Sequence, residues 1–204
     1  MTGIIDYGVG NLFSIASSLR KIGEEAVLLQ QPEAFSSCDR VILPGVGAFG
    51  DARKKLAASG MEEALLSWAG QGRPVLGICL GMQMLFDESE EFGCHKGLSL
   101  IPGRVTAMEP RLPAHLKIPQ IGWNALEIRK KDPLLEGIKD GDCVYFVHSF
   151  SAVDCDRDTL AVAEYGIPVT AAVARGAVCG TQFHPEKSGT VGLTILQNFC
   201  RRKG

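Results

Sequence analysis

The first half of the sequence alternates short apolar runs with stretches of helical periodicity. The first helical stretch begins after Asn11, which can cap it, and ends at Gly23. Strands that alternate with helices usually pair in parallel, with helices on both faces of the sheet. The pattern therefore predicts an α/β fold with a mostly parallel central sheet flanked by helices. The predicted strands lie at 3–6, 26–29, 40–43 and 74–79, and the further predicted helices at 51–59, 61–69 and 82–87.

The second half of the sequence is richer in extended patterns. A final helical stretch over 191–201 ends in a basic tail. No internal repeat, low-complexity stretch or linker divides the chain, so residues 1–204 are predicted to form a single domain. The predicted strands lie at 98–108, 124–128, 143–150, 160–164, 169–174 and 178–183.

The charge of the chain gives no electrostatic reason to expect nucleic acid or a membrane surface as a partner. Its formal net charge is −2 and its pI is about 6.1. No apolar run approaches the roughly 20 residues that a membrane-spanning helix needs. Near the start, Ile4 and Ile5 follow no basic region and are followed at once by Asp6, which is unlike a signal peptide. A cytoplasmic location is therefore expected.

The seven cysteines do not follow a disulfide or metal pattern. Their number is odd, their spacing is irregular, and no pair is separated by two residues as in a zinc knuckle or a redox motif. We expect most of them to be buried, unreactive thiols, and we expect no metal and no cofactor. A functional cysteine must therefore be recognised by its neighbours.

One cysteine lies between two glycines at a junction of strand and helix. The chain passes from an apolar run into a helical stretch through Gly77-Ile78-Cys79-Leu80-Gly81. This spacing is typical of a nucleophile elbow, in which small residues two positions either side of the nucleophile let strand and helix pack closely around a tight turn. The start of a helix also favours a thiolate. A buried core cysteine beside ordinary turn glycines is the alternative, and the presence of both glycines favours the elbow.

A histidine with a nearby carboxylate can serve such a thiol. His184 follows a predicted strand, and Pro185 favours an extended conformation for it. Residues two apart in extended chain project to the same side, so Glu186 can orient His184. His148 also follows a strand and is the competing candidate, but no glutamate lies two residues beyond it.

The segment Gly8-Val9-Gly10 after the first strand has a competing interpretation. Two glycines at this spacing begin the fingerprint of a dinucleotide-binding turn. The third glycine of that fingerprint is missing, and Phe13 stands in its place. We therefore do not expect NAD binding.

Several segments together resemble the triad, or class I, glutamine amidotransferases. Within that family the sequence is most similar to the glutaminase subunits of imidazole glycerol phosphate synthases, over essentially the whole chain. Met82 supports this branch, because the related subunits for anthranilate, GMP and carbamoyl phosphate synthesis typically carry His at that position. The resemblance implies a flavodoxin-like domain with extra antiparallel strands in the second half. The matching segments are 5–12, 43–49, 77–83, 119–124, 145–150 and 182–189.

The resemblance implies a reaction that the residues above can perform. Cys79 would attack the side-chain amide of glutamine and form a thioester. His184 would protonate the departing ammonia and then activate water, while Glu186 holds the imidazole in one tautomer. Phe150 replaces a tyrosine that many members carry, so a regulatory role for that hydroxyl does not transfer to this chain.

The resemblance also implies the residues that surround the substrate. The oxyanion would be held by the Leu80 N–H and by the peptide between Gly45 and Val46, with the Val46 N–H as donor after a peptide rotation. The residues implied for binding glutamine are Gly47, Gln83, His148 and Ser149.

The chain shows no site for an acceptor of ammonia, so the resemblance implies a partner. That partner is the (β/α)8 cyclase subunit HisF, which would use the ammonia to make imidazole glycerol phosphate and AICAR from PRFAR in histidine biosynthesis. For Trp123 a core position, and for Lys187 a solvated charge, are the plainer alternatives. The residues implied for the interface of this heterodimer are Asn11, Trp123, Tyr145 and Lys187.

Three other functions compete with this interpretation. A similar amidotransferase could supply ammonia to a different synthase. A cysteine hydrolase of the same fold need not carry Gln83 or the segment 44–47. A non-enzymatic binding module is the third, and the complete set of Cys79, His184 and Glu186 argues against it.

Overall fold

The computed structural model describes residues 1–202 of the chain. Within that range the α-helices are α1 (Leu12–Lys21), α2 (Phe49–Ala58), α3 (Met61–Gly70), α4 (Leu80–Met84) and α5 (Gly189–Arg201). The strands up to residue 100 are β1 (Thr2–Ile5), β2 (Ala26–Leu29), β3 (Arg40–Leu43), β4 (Val75–Ile78), β5 (Glu88–Ser89) and β6 (His95–Lys96). The later strands are β7 (Arg104–Ala107), β8 (Gln120–Ile128), β9 (Cys143–His148), β10 (Phe150–Val153), β11 (Thr159–Glu164), β12 (Pro168–Arg175) and β13 (Val178–Thr181). Short 3₁₀ helices lie at Pro32–Ser37, Glu109–Arg111, Pro133–Leu135 and Pro185–Lys187.

Across residues 1–202, nine strands form one sheet in the order β2-β1-β3-β4-β13-β12-β11-β8-β9. The strands from β2 to β13 pair in parallel, and those from β13 to β9 pair antiparallel, which makes four pairings of each kind. A smaller sheet has the order β10-β7-β5-β6. The predicted α/β class, with antiparallel strands added by the second half, is confirmed.

The inner parallel strands β1, β3 and β4 are buried on both faces, and each face has its own core. In β1 and β3, neighbouring residues point to opposite faces, so Ile4 and Ile42 join one core while Ile5 and Leu43 join the other. Helices α1 and α5 cover the first face, and α2 and α3 cover the second. This layering explains why the first-half strands are continuous apolar runs without alternation.

The order of the strands brings three loops to one edge of the sheet. Strands β3, β4 and β13 are neighbours and run in the same direction. Their carboxyl ends therefore meet, and the segments that follow them begin at Pro44, Cys79 and Gln182. In parallel sheets this edge is where ligands bind.

The helix predicted after Asn11 is confirmed as α1. The Asn11 side chain accepts a hydrogen bond from the Ser14 N–H at 3.4 Å, and Arg20 and Lys21 occupy the last turn. Within residues 1–202, no helix is both long and apolar enough to cross a membrane.

The strand predicted over 143–150 is divided in the structure. Strand β9 ends at His148, and after Ser149 the chain leaves the large sheet and pairs with β7 as β10. The Ser149 carbonyl accepts a hydrogen bond from the Met108 N–H at 3.0 Å at the point of change. An apolar pattern cannot show which sheet a strand joins, so the prediction of one strand was wrong.

The strand predicted over 98–108 is likewise shorter, because only Arg104–Ala107 pairs as β7. The preceding segment folds back on α4, where the Leu98 N–H donates to Met84 and the Ser99 N–H to Phe86. Helix α4 itself ends at Met84, three residues before the predicted end. Strands β5 and β6 are each two residues long, too short for a periodic pattern to reveal them.

A glycine in α5 permits close packing against the turn that follows β13. A Cβ on Gly192 would lie 1.9 Å from the Pro185 carbonyl oxygen, so Gly192→Ala should lower the free energy of unfolding by about 2–3 kcal/mol. Gly70 in α3 has nothing within 4 Å of such a Cβ, so Gly70→Ala should leave stability unchanged or raise it by up to about 1 kcal/mol. Urea unfolding of the two variants tests this, and equal effects would contradict the described packing of α5.

Candidate active site

Cys79 occupies a tight turn between β4 and α4. Its backbone has φ 55° and ψ −111°, which residues with a side chain rarely adopt. The Cys79 N–H donates to the Thr181 carbonyl at 2.7 Å, which holds the turn against the end of β13. Such strain at a nucleophile is typical of a functional site, and the turn has the form that the glycine spacing predicts.

The glycines either side of Cys79 are required by the distance between strand and helix. A Cβ on Gly77 would lie 2.7 Å from the Gly81 carbonyl carbon. A Cβ on Gly81 would lie 1.9 Å from the Leu43 carbonyl oxygen at the end of β3. Because both contacts are with backbone atoms, neither can be relieved by a change of side-chain rotamer.

The Cys79 side chain lines a cavity of about 400 Å³ at the edge of the sheet where β3, β4 and β13 end. This volume lies within the range typical of small-molecule sites. Most of the predicted site residues line it. The lining consists of Val46, Gly47, Cys79, Leu80, Gln83, Glu91, Phe92, Pro119, Val147, His148, Ser149, Phe150, His184 and Lys187.

A larger surface groove of about 650 Å³ lies elsewhere, along residues 128–140. Its lining carries lysine, acidic and apolar side chains but no thiol, histidine or other residue of the predicted site. We therefore place the active site by its chemistry, in the smaller cavity that contains Cys79.

His184 and Glu186 form a buried pair beside Cys79. The His184 Nδ1 lies 2.8 Å from the Glu186 Oε1, and 4% and 1% of the two side chains are exposed. Burial alone lowers the pKa of His184, but interactions with Cys79 and Glu186 outweigh burial and raise this pKa to about 9. Since Nδ1 donates to Glu186, Nε2 is left for the thiol. The pair can therefore hold a proton at neutral pH and deliver it within the cavity.

His148, the competing histidine, is held in a different state. Its Nδ1 lies 2.8 Å from the Phe150 carbonyl, so Nδ1 carries a hydrogen and donates it. Burial lowers the pKa of His148 to about 4, with a smaller contribution from nearby His184, while the bond to Phe150 opposes this shift. His148 is thus neutral near pH 7, lines the cavity and, among the described residues, has no carboxylate partner.

Two buried amides connect the nucleophile to the far side of the cavity. The Gln182 Nε2 lies 3.8 Å from the Cys79 Sγ, and the Gln182 Oε1 accepts a hydrogen bond from the Gln83 Nε2 at 3.0 Å. The Gln83 Nε2 also donates to the Phe150 carbonyl at 3.0 Å. These contacts fix the orientation of the Gln83 amide. Gln182 was not among the predicted site residues, although it lies in the matching segment 182–189 that contains His184.

Two of the three residues predicted for the oxyanion hole, Leu80 and Val46, line the cavity, and the third, Gly45, does not. Leu80 begins α4 directly after Cys79, and Val46 and Gly47 line the cavity from the segment after β3. Gly45 does not line it but packs against α4, where a Cβ would lie 2.7 Å from the Gly81 N.

Glu91 and Phe92 line the cavity from the loop between β5 and β6, which the sequence interpretation missed. The Glu91 Oε2 accepts a hydrogen bond from the Phe49 N–H at 2.6 Å, and burial raises the pKa of Glu91 although that bond opposes the shift. Phe92 is 86% exposed and packs edge to face with Phe150, with the two ring centroids 6.4 Å apart. A charged, glycine-containing loop resembles an ordinary surface loop in sequence, so only its position in the fold reveals these side chains.

Three of the four predicted interface residues, Trp123, Tyr145 and Lys187, lie close together. Trp123 and Tyr145 are opposite each other in the β8–β9 ladder, with ring centroids 6.0 Å apart. The Lys187 Nζ lies 5.8 Å from the Tyr145 ring centroid. Trp123 is 55% exposed, so the alternative of a core position is wrong. Asn11 lies apart from them in the sequence and caps α1, which packs against the turn that carries Lys187.

The other cysteines, all within the described residues, are free thiols away from this cavity. Burial raises the pKa of Cys179 to about 12 and that of Cys200 to about 11, which keeps both as unreactive thiols. Cys94 and Cys143 are exposed.

Comparisons with known proteins place the chain among enzymes. Residues 3–203 match the family described as glutamine amidotransferase class-I. The chain is 50% identical over 202 residues to the imidazole glycerol phosphate synthase subunit HisH of Wolinella succinogenes, with 98% of each chain covered. It is 47% identical over 203 residues to the protein of the same name from Syntrophotalea carbinolica, again with 98% of each covered.

Solved structures agree with the fold. A glutamine amidotransferase crystal structure superposes with a TM-score of 0.75 at 20% identity, covering 98% of both chains. The structure of PurLQS from Thermotoga maritima gives a TM-score of 0.74 at 18% identity, covering 98% of this chain and 96% of the other. At these identities the likeness establishes the fold alone.

The substitution Glu186→Gln should lower the pKa of His184 from about 9, because it removes the carboxylate charge while burial continues to oppose protonation. Proton NMR titration of the His184 imidazole in the variant and in the wild type measures this directly. Since the folded-state pKa of His184 exceeds its ordinary value of 6.5, the pair's contribution to stability is fully present below about pH 6.5 and is lost as the pH rises through about 9. An unchanged His184 pKa in the variant would contradict the described pair.

Proposed function

The chain belongs to the class I glutamine amidotransferases and, within them, to the family of the HisH subunits, and we propose that it is the glutaminase subunit of an imidazole glycerol phosphate synthase. The observation that carries this proposal is the elbow thiol of Cys79, which shares a cavity with His184, whose imidazole is paired with the buried Glu186 carboxylate. Identity near 50% over almost the whole length of named relatives supports the choice of synthase.

In the first step, the Cys79 sulfur attacks the side-chain carbonyl carbon of glutamine. The carbon–oxygen double bond opens to a tetrahedral oxyanion, which the Leu80 N–H and the Val46 N–H would stabilise. One preorganised donor of this kind lowers a barrier by roughly 3–4 kcal/mol. His184 donates its proton to the amide nitrogen, and the carbon–nitrogen bond breaks to release ammonia and leave a thioester.

In the second step, His184 is unprotonated and takes a proton from water, which attacks the thioester. The carbon–sulfur bond breaks, glutamate leaves and the thiolate is restored. The Glu186 carboxylate accepts a hydrogen bond from the His184 Nδ1–H in both steps. This 2.8 Å contact keeps Nδ1 directed at the carboxylate and Nε2 directed at the reacting atoms.

Recognition of glutamine is assigned to the remaining wall of the cavity. The Glu91 carboxylate is the acidic side chain of that lining and suits the α-ammonium group of the substrate. Gln83, whose amide is oriented by Gln182, faces the same space, together with Gly47, His148 and Ser149. With Cys79 reserved for the side-chain amide, the substrate would extend from the elbow towards Glu91.

The family name implies a second subunit, and we propose that it is the (β/α)8 cyclase HisF. Ile121 and Trp123 of β8 are 60% and 55% exposed, and Trp123 pairs across the ladder with Tyr145, whose ring Lys187 contacts. Phe13 of α1 is 80% exposed. Lys187 lines the cavity and also contacts the Tyr145 ring, so a partner bound there would stand next to the released ammonia.

Two alternatives are separated by assay. An amidotransferase for another synthase would require a different partner, and a cysteine hydrolase of this fold would cleave peptides rather than glutamine. The single-domain organisation of residues 1–204 and a cytoplasmic location stay predictions of this proposal.

The substitution Cys79→Ala should abolish glutamine-dependent synthesis by the complex with the cyclase, because no thioester can form. Synthesis from PRFAR with added ammonium salt should continue at the wild-type rate, since the cyclase chemistry does not use the thiol. The control is Cys143→Ala, an exposed thiol whose removal should change neither rate. Loss of both activities in Cys79→Ala would contradict the assignment.

The substitution Trp123→Ala should weaken binding of the cyclase about 30-fold, as expected for an aromatic residue central to an interface. Leu28→Ala is the matched control, because Leu28 is 43% exposed but lies on β2, at the opposite edge of the sheet. Titration calorimetry with the cyclase measures both. Equal effects of the two variants would place the interface elsewhere.

A further inference from the structure

The segment after β3, which we assign to the oxyanion hole, is fixed at its ends and free in its middle. Residues 44–48 connect β3 to α2. Within the described residues, the N–H and C=O groups of Gly45, Val46 and Gly47 form no hydrogen bond. Backbone groups without partners are the part of a structure that can rotate at low cost. The position of the donor therefore depends on what holds the ends.

The first end is held by Tyr7. Its hydroxyl donates to the Pro44 carbonyl at 2.7 Å, and the side chain is 5% exposed. Burial, and to a smaller extent the nearby Cys79, raises the pKa of Tyr7, so the hydroxyl keeps its hydrogen and remains a donor when the thiol ionises. At the second end the Phe49 N–H donates to Glu91 at 2.6 Å.

The loop that carries Tyr7 also holds the Pro44 ring. Gly10 has φ +116°, and a Cβ there would lie 2.8 Å from the Pro44 Cβ. The Asp6 side chain accepts a hydrogen bond from the Gly8 N–H at 3.2 Å, which supports the turn that follows Tyr7. Pro44 is thus fixed from two directions, by a hydrogen bond at its carbonyl and by packing on its ring.

From these contacts we infer that Tyr7 is a positioning residue for the reaction. It does not line the cavity, so we assign it no direct contact with the substrate. It fixes Pro44, and through Pro44 it limits the rotations by which the next peptide can present its N–H to the oxyanion. This inference rests on the proposed function, since it assigns a task to the segment next to Cys79.

The test compares Tyr7→Phe with the wild type in three measurements, alone and with the cyclase. We expect kcat for glutamine hydrolysis to fall about 10-fold, because the oxyanion donor is less well placed. The inhibition constant of glutamate, which forms no oxyanion, should change less than about 2-fold, as should the rate at which iodoacetamide alkylates Cys79. Because Cys94 and Cys143 are also exposed thiols, peptide mass spectrometry follows the alkylation of Cys79 separately from theirs.

Two further variants make the comparison specific. Tyr165→Phe removes another hydroxyl that donates to a backbone carbonyl, that of Lys117 at 2.8 Å, and should leave all three quantities unchanged. Gly10→Ala pushes on the Pro44 ring from the other side and should reproduce the selective loss of kcat, even if Tyr7→Phe folds poorly.

The outcomes separate this inference from the proposed function. An unchanged kcat in folded Tyr7→Phe overturns the role of Tyr7, whatever Gly10→Ala does. A parallel fall of kcat, glutamate binding and alkylation also overturns it, since that pattern means general damage to the site. A wild-type chain that hydrolyses no glutamine, alone or with the cyclase, overturns the proposed function itself.

Discussion

The active site depends on one backbone contact, the approach of α4 to the end of β3. Gly81 stands so close to the Leu43 carbonyl that no side chain fits between them. This approach places the segment after β3 against the turn that carries Cys79, and it requires the strained backbone of that residue. Strand β4, which leads into Cys79, lies between β3 and β13. These buried, hydrogen-bonded neighbours hold the strained turn in place.

Local electrostatics give the two buried histidines of the cavity different protonation states. His184 has Glu186 as a partner and a pKa of about 9, whereas His148 donates to a neutral carbonyl and has a pKa of about 4. Both imidazoles are similarly buried, so the interactions of His184 with Cys79 and Glu186 decide which of them holds a proton at neutral pH. Proton transfer at Cys79 is thereby assigned to one histidine.

Rigidity is distributed unevenly around the cavity. The triad and the amides of Gln83 and Gln182 are held by several hydrogen bonds. The segment proposed for the oxyanion hole is held only through Pro44 and Phe49 at its ends, among the described contacts. The exposed face around Trp123 lies on the same side of the molecule as Lys187, which reaches the cavity. Lys187 therefore connects that face to the cavity that Val46 and Gly47 also line.

Features that depend on local spacing can be predicted from the sequence alone. Alternating strands and helices indicated the parallel sheet, and the glycines around Cys79 indicated the elbow, because turn geometry restricts residue type over a few positions. Tertiary structure alone decided the break at Ser149, the approach of Glu91 to the cavity and the bond from Tyr7 to Pro44. Each of these joins segments far apart in the chain, and their hydrogen-bond partners are chosen by how the sheets pack rather than by any pattern within the segments.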